Sequence, residues 1–146
     1  MQLNNKTHSS YIVRSIVLDH CSFSYDRTLH TSLSKAAKSE KIKNNLKIDL
    51  EKHIGEKQIH IIVSVSFTLF SDEKQNILEA SIQMSGYFEM IGDGKELDIE
   101  TFATINAPAI IFPFIREHLA TLTTKAGIGP ILLPPVNFTK LNPKPL

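Results

Sequence analysis

The sequence predicts an α+β domain in which a four-stranded antiparallel β-sheet meander packs against one long C-terminal α-helix. In the first two thirds of the chain, apolar and polar residues alternate in segments that short turns separate. In the last third, apolar residues recur at helical spacing between Asn106 and Gly127, and a proline-rich apolar tail follows. We expect a single domain over residues 1–146, with flexible ends at 1–10 and 142–146.

The first strand is expected at Tyr11–Tyr25, a segment rich in β-branched and aromatic residues. Its apolar residues change phase along the segment. A β-bulge has this effect, because one extra residue reverses the face of every residue after it. We therefore expect one long strand with one or two bulges. The side chains expected to face the core are Tyr11, Val13, Ile16, Leu18, Cys21 and Phe23.

A polar, lysine-rich stretch follows at residues 28–45 and contains only scattered apolar residues such as Leu29 and Leu33. We interpret it as a crossover loop. Three further segments then alternate cleanly, and the connections between them are short, which indicates antiparallel pairing. Gly86 in the last of them suggests either a bulge or a close approach of the backbone to another element. The three strands are predicted around residues 46–50, 59–69 and 78–88.

The long helix has recognisable ends. Asn106 is expected as the N-cap, Pro108 fits the first turn, and Gly127 fits the position after the last turn. Pro113 either kinks the helix or marks the change from an irregular first turn to a regular helix. The apolar stripe at helical spacing comprises Ile111, Phe114, Ile115, His118, Leu119, Leu122 and Ala126.

That stripe is wide, and the chain supplies no second long helix to cover it. The second face of the predicted sheet also carries apolar residues. Association between subunits would bury both surfaces, so we expect an oligomer. The apolar residues on the second face are Ile62, Phe70 and Tyr87.

Composition excludes several classes of partner. Lys and Arg outnumber Asp and Glu by only 16 to 15, so charge favours neither nucleic acid nor an anionic membrane. No stretch approaches the roughly 20 apolar residues of a membrane-spanning helix, and the N-terminus does not resemble a signal peptide. We therefore expect a cytoplasmic protein without membrane insertion.

No combination of residues indicates catalysis or metal binding. Cys21 is the one cysteine, and on a strand its neighbour His20 would point to the opposite face, so the two cannot act as nucleophile and base. The 6 histidines lack the spacing of a metal site. We expect neither enzyme activity nor a cofactor.

Three motifs resemble the SecB family of protein-export chaperones. They are Asn106-Ala107-Pro108, Phe112-Pro113-Phe114 followed by Arg116-Glu117, and Pro135-Val136-Asn137-Phe138. The resemblance extends from Tyr11 to Leu141. It implies an ATP-independent holdase that binds unfolded or preprotein polypeptides in apolar grooves. It also implies a homotetramer, built as a dimer of dimers through helix and first-strand contacts.

The resemblance implies two sets of functional residues. The client groove would lie between the crossover segment and the segment after the long helix, at Phe23, Tyr25, Leu29, Leu33, Ile131, Leu132, Leu133 and Phe138. The oligomer interface would use Ile16, Leu18, Phe114, Ile115, His118 and Leu122.

SecA, the motor that receives SecB clients, is a further partner implied by the resemblance. The positions that match the family's acidic contacts with SecA carry His20, Ser24 and Ser81, however, and the net charge is +1 where the family is usually strongly acidic. The family's terminal helix and SecA-contacting tail also have no match after Phe138. These departures count against the SecA contact and leave a second possibility, a SecB-like chaperone dedicated to another client such as the antitoxin of a toxin–antitoxin pair.

A third possibility is a protein that binds an apolar small ligand between helix and sheet. The accessibility of Ile131, Leu132 and Leu133 separates this function from a chaperone. A cavity binder should bury these three side chains, whereas a holdase should expose some of them.

Overall fold

The computed structural model describes residues 10–35, 42–72 and 75–141. A four-stranded antiparallel sheet and a long C-terminal helix are present, as the sequence predicts. The predicted flexible ends, except Ser10, lie outside the described residues. In chain order the elements are β1 (Tyr11–Tyr25), α1 (Arg27–Lys35), β2 (Lys43–Ile54), β3 (Gln58–Phe70), β4 (Asn76–Met90), α2 (Ile99–Thr101), a π-helical turn (Phe102–Asn106) and α3 (Ala107–Lys125).

The strands are ordered β1-β4-β3-β2 across the sheet, and every neighbouring pair is antiparallel. The last three strands form the meander, joined by short turns. β1 pairs with β4 rather than with β2, so the chain between β1 and β2 crosses from one edge of the sheet to the other. β1 and β2 are therefore the two edge strands.

β1 contains both of the irregularities expected from its sequence. Its register against β4 shifts between Val13 and Ser15 and again between Leu18 and His20. Val13 pairs with Phe88, so the two side chains lie on the same, helix-covered side of the sheet. Nevertheless Val13 is 49% exposed and Leu18 is 47% exposed. The reason is that α3 packs against β3 and β4 and leaves much of the edge strand uncovered.

The interpretation of residues 28–45 as a loop is wrong at both ends, because α1 occupies its start and β2 begins at Lys43. Asp26 begins the helix, since its Oδ1 accepts a hydrogen bond of 2.9 Å from the Leu29 backbone N–H. Leu29 and Leu33 lie four residues apart on one face of α1. The polar residues between them hid this helical spacing in the sequence.

The prediction of Asn106 as an N-cap is also wrong. Asn106 has helical dihedral angles (φ −74°, ψ −45°) and makes no side-chain capping bond, because α2 and the π-helical turn precede it. Pro108 accounts for the irregular turn, since it has no N–H and its ring would clash with a regular preceding turn. α3 remains helical on both sides of Pro113. Gly127 follows the helix with φ +82°, which confirms it as the terminating residue.

The core lies between α3 and the inner face of the sheet, where Ile111, Ile115 and Leu119 of the helix are fully buried. Gly86 on β4 lies directly beneath α3. A Cβ atom at this position would come within 2.6 Å of Ile111 Cδ1 and of Phe88 Cε2. Of the two alternatives for Gly86, the structure therefore shows a close approach, and no register shift occurs there.

Tyr11 joins the start of β1 to the segment before α3. Its ring stacks on Phe102 with centroids 3.9 Å apart, and its hydroxyl donates a 2.6 Å hydrogen bond to the Leu97 carbonyl. Burial of the phenol, together with the nearby Asp98 carboxylate, raises the pKa of Tyr11. In the folded protein the neutral phenol is therefore favoured more strongly than in the unfolded chain.

We expect Tyr11→Phe to lower the free energy of unfolding at neutral pH by about 1 kcal/mol, through loss of the bond to Leu97. In the wild type, stability should fall as the pH rises above the usual tyrosine pKa of about 10, because the unfolded chain ionises first. The Tyr11→Phe variant should therefore lose less stability at alkaline pH than the wild type, because it lacks the contribution from ionisation of Tyr11. Denaturant unfolding at neutral and alkaline pH measures both effects, and an identical alkaline loss in the two proteins would contradict the role of Tyr11.

Candidate polypeptide-binding surface

The chain after Gly127 runs back along α3 without joining the sheet, and we call residues 128–138 the C-terminal segment. Its first part is tied to the last turns of the helix. Thr123 Oγ1 accepts a 2.9 Å hydrogen bond from the Ile131 backbone N–H, and the Thr123 carbonyl accepts one of 3.2 Å from Ile128. At the other end the Phe138 ring contacts Phe112, with centroids 5.9 Å apart. The C-terminal segment is therefore antiparallel to α3 and held at both ends.

The three successive apolar residues of the C-terminal segment have different environments. Leu133 is 3% exposed and belongs to the core, whereas Leu132 is 69% exposed. Ile131 is half-buried and packs against the core. Of the three, Leu132 therefore faces solvent while its neighbour Leu133 anchors the segment to the core.

The start of α1 lies beside the end of α3. Arg27 donates a 2.6 Å hydrogen bond to the Ala126 carbonyl, and its guanidinium lies 5.3 Å from the centroid of the Tyr25 ring. The Tyr25 hydroxyl is 2.6 Å from His30 Nδ1. The fold therefore brings Tyr25 and the start of α1 close to the end of α3, after which the C-terminal segment begins. The four client-binding residues predicted before β2 are half-buried: Phe23, Tyr25, Leu29 and Leu33.

Some residues of the two predicted sets have little or no accessible surface in the single chain. Ile115 lies on the core side of α3 and Leu133 on the core side of the C-terminal segment, so both are buried in the single chain. Phe138 is also buried but forms one wall of a cavity. Phe114, in contrast, is 49% exposed. The half-buried positions of the predicted interface are Ile16, His118 and Leu122.

Sequence reasoning missed a cavity, wide open to solvent, between α3 and the C-terminal segment. Its volume is about 390 Å³. Ile105 and Ala109 are four residues apart, which is helical spacing and gives a signal in the sequence, but the other lining residues come from a distant part of the chain. The cavity is lined by Ile105, Ala109, Pro135, Val136, Asn137, Phe138 and Thr139.

The outer face of the sheet, away from α3, has a different character. His20 and Ser24 lie on this face, because they pair with Gln83 and Glu79 of β4, and Ser81 of β4 itself points to the same side. Two aromatic rings from neighbouring strands, His60 and Tyr87, stack there with centroids 4.3 Å apart. At these three positions the outer face has no carboxylate, although Asp19, whose carboxylate accepts from the Ser85 hydroxyl, and Glu79, which pairs with Ser24, lie on the same face.

We expect Thr123→Val to destabilise the protein by about 2 kcal/mol, because it leaves the Ile131 N–H without its acceptor in a buried site. The hydroxyl of its exposed neighbour Thr124 bonds only the Ala120 carbonyl within the same helix. Thr124→Val is therefore the matched control, with an expected change below about 0.5 kcal/mol. Denaturant unfolding compares the two, and equal stabilities would show that the Thr123 bond does not hold the segment.

Within the described ranges, no group of three or more His, Cys, Asp or Glu side chains is arranged to hold a metal ion. None of the helices in the described part of the chain is long and apolar enough to cross a membrane.

Several proteins of known sequence are similar to this chain. An uncharacterised protein of Methanocaldococcus jannaschii is 32% identical over 104 residues, which cover 68% of this chain and 66% of that protein. The protein-export protein SecB of Maricaulis maris is 33% identical over 98 residues, which cover 66% of this chain and 56% of that protein. SecB of Nitrosococcus oceani is 35% identical over 89 residues, which cover 60% of this chain and 52% of that protein. The chain thus spans about half to two thirds of the length of these relatives.

Among solved structures, the SecB-like chaperone of Mycobacterium tuberculosis, in complex with a peptide from the HigA1 antitoxin, shares the fold. The TM-score is 0.62 over 85% of this chain and 89% of that one, at 14% identity. The family model described as preprotein translocase subunit SecB matches residues 4–144. The match covers nearly the whole chain and agrees with the sheet, the long helix and the three motifs described above, so the chain belongs to the SecB family.

Proposed function

We propose that this SecB-family protein is an ATP-independent holdase that binds unfolded or preprotein polypeptides, most directly in protein export. The observation that carries the proposal is the exposed Leu132, at 69% accessibility, on a segment whose neighbouring residue Leu133 anchors it to the core. An apolar side chain held in solvent on a fixed segment is available to a partner. A protein that encloses a small ligand would bury Leu132 instead, which makes small-ligand binding the weaker alternative.

The chemistry of this surface suits clients of many sequences. Burial of apolar groups is non-directional, so a groove of this kind selects for exposed hydrophobic length rather than for a particular sequence. Several weak contacts along one client add up through effective concentration, and each can stay reversible. Binding and release of a client need neither a nucleotide nor catalysis by this chain. Cytoplasmic localisation is part of the proposal, because an export chaperone must meet its clients before they cross the membrane.

Oligomerisation is also part of the proposal. Val13, Leu18 and Phe114 are each close to half exposed, although all three are large apolar residues on or beside the helix-covered side of the sheet. A second copy of the chain would cover them, and repetition of the groove would increase avidity. We propose a homo-oligomer, a dimer of dimers, that uses Ile16, Leu18, Phe114, His118 and Leu122.

A dedicated client is the second candidate. His20, Ser24 and Ser81 on the outer face reduce the acidity expected for a SecA contact, and the structural neighbour from M. tuberculosis was solved with an antitoxin peptide. An antitoxin or another single protein would then take the place of general preproteins.

The test is to titrate the purified protein with a permanently unfolded polypeptide and to follow complex mass by light scattering without ATP. The folded form of the same polypeptide is the control. A discrete complex with the unfolded form alone supports the general holdase. Binding restricted to one cognate antitoxin supports the dedicated chaperone, and no binding to either class overturns both.

A further inference from the structure

The two edges of the sheet differ in how well they can pair with a further strand. β2 follows the register of β3 over all 12 of its residues without a shift, whereas β1 has two register shifts. A bulge interrupts the row of backbone groups that an added strand would bond, so it protects an edge. No strand in the described part of the chain pairs with the outer side of β2. β2 is therefore the edge that is open to strand pairing.

The hairpin between β2 and β3 determines which backbone groups of β2 point outward. The Gly55 N–H donates a 2.8 Å hydrogen bond to the Gln58 carbonyl, so these two residues form a hydrogen-bonded pair. Such pairs alternate with non-hydrogen-bonded pairs along an antiparallel ladder. The odd-numbered residues of β2 therefore bond β3, and the even-numbered residues direct their N–H and C=O groups away from the sheet. In the middle of the strand the outward residues are Leu46, Ile48 and Leu50.

The side chains at the middle of β2 have a self-complementary order. Leu46, Ile48 and Leu50 lie on the helix-covered side and contact or belong to the core. Lys47 and Asp49 lie on the outer face, where their side chains are 65% and 39% exposed and Lys47 Nζ is 3.7 Å from Asp49 Oδ2. From either end, the order of these five residues is apolar, charged, apolar, charged, apolar. The two charges are opposite in sign and equally distant from Ile48.

Two antiparallel copies of this segment match when a two-fold axis passes beside Ile48. The Ile48 residues of the two copies then form a hydrogen-bonded pair, and Leu46 lies opposite Leu50 of the second copy. Lys47 lies opposite Asp49 of the second copy, and Asp49 opposite its Lys47. A shift of the axis by one residue places Lys47 opposite Lys47 or Asp49 opposite Asp49, and like charges in direct cross-strand pairs are destabilising.

We propose that β2 is a homotypic interface, in which the β2 strands of two copies pair antiparallel about a two-fold axis at Ile48, and Lys47 of each copy forms an ion pair with Asp49 of the other. The partner is a second copy of the chain, because the strand is complementary to itself, as a two-fold interface requires. Backbone hydrogen bonds and the apolar row supply the affinity. Exposed ion pairs add little to it and chiefly fix the register.

This pairing extends the proposed assembly. A dimer of dimers needs two different two-fold interfaces, and the β2 pairing supplies one that shares no residue with the set proposed on β1 and α3. The inference does not depend on client binding, which the titration with unfolded polypeptide measures separately.

The test exchanges charges at the interface. Lys47→Glu places a carboxylate opposite Asp49 of the second copy, and Asp49→Lys places a cation opposite its Lys47. Each variant alone should associate through this interface about tenfold more weakly or worse than the wild type. An equimolar mixture of the two should recover the wild-type mass, because every facing pair across the mixed interface is then opposite in charge. Sedimentation velocity at low ionic strength, where exposed charges are least screened, measures the mass.

Lys95→Glu is the matched control, since it makes the same change of charge at an exposed loop residue away from β2 and should leave the mass unchanged. Single variants of Lys47 and Asp49 that keep the wild-type mass would refute the interface. Single variants that lose mass without recovery in the mixture would refute the register. A monomeric wild type would overturn the pairing altogether.

Circular dichroism checks that each variant is folded. If Lys47→Glu did not fold, Lys47→Gln would replace it, because it removes the charge without creating a repulsion. Its association through β2 should be several-fold weaker than that of the wild type, and an unchanged mass across a dilution series would again refute the interface.

Discussion

Gly86→Ala should destabilise the protein by about 3 kcal/mol, although it adds a single methyl group. The new Cβ would lie 2.6 Å from Ile111 Cδ1 and from Phe88 Cε2, well inside van der Waals contact. Both neighbours belong to fully buried side chains, so neither has space to move into. Relief would require α3 to move away from β4 and would loosen packing along the helix.

Gly55→Ala is the matched control for this substitution. The nearest atom to a Cβ at Gly55 is the Gln58 carbonyl oxygen at 3.5 Å, an ordinary contact, and the residue is exposed. We expect its free energy of unfolding to stay within about 0.5 kcal/mol of the wild type. Denaturant unfolding of the two variants measures the difference. If Gly86→Ala proved as stable as Gly55→Ala, the position of α3 would not depend on a glycine beneath it.

Leu132→Asp should weaken binding of an unfolded polypeptide about tenfold or more, because it places a charge where an apolar client side chain would pack. The same substitution should leave the fold intact, since Leu132 is 69% exposed and contributes little to the core. Light scattering with the unfolded polypeptide measures the complex, and thermal unfolding measures the fold. Loss of folding would assign Leu132 to the core, and unchanged binding would remove it from the client surface.

Leu133→Ala provides the contrast on the same segment. Leu133 is 3% exposed, so its truncation leaves a cavity and should cost about 2–5 kcal/mol of stability. The two substitutions separate roles that lie one residue apart. Leu132→Asp should weaken client binding without lowering stability, whereas the main effect of Leu133→Ala should be lower stability.

Local signals in the sequence predicted much of the fold. The phase changes of the apolar residues in Tyr11–Tyr25 indicated the bulges of β1, and the structure contains both. Such phase changes are informative because a shift of one residue moves every following side chain to the other face of the strand. Gly127 ended the helix because its positive φ excludes most other residues. The start of the helix was placed too late, since Pro108 imposes a π-helical turn that no capping signal reveals.

The candidate surface was predictable only in part. Helical spacing placed Phe114 and Ile115 on the same stripe, yet Phe114 is half exposed and Ile115 fully buried, because periodicity gives the direction of a face and not its width. The charge of Arg116 placed it off the apolar stripe in the sequence. Yet its Nε is buried and has no hydrogen-bond partner among the described residues, which depends on how the fold packs around it.

By itself, the sequence determined the α+β class, the antiparallel strands, the end of the long helix and, through its motifs, membership of the SecB family. These features depend on residues close together in the chain, where alternation, helical spacing and glycine act locally. The tertiary structure alone decided that β1 pairs with β4, that Leu132 faces solvent while Leu133 is buried, and that a cavity lies between Ala109 and Val136. These features depend on which distant elements pack together, and burial is a property of that packing rather than of any residue in it.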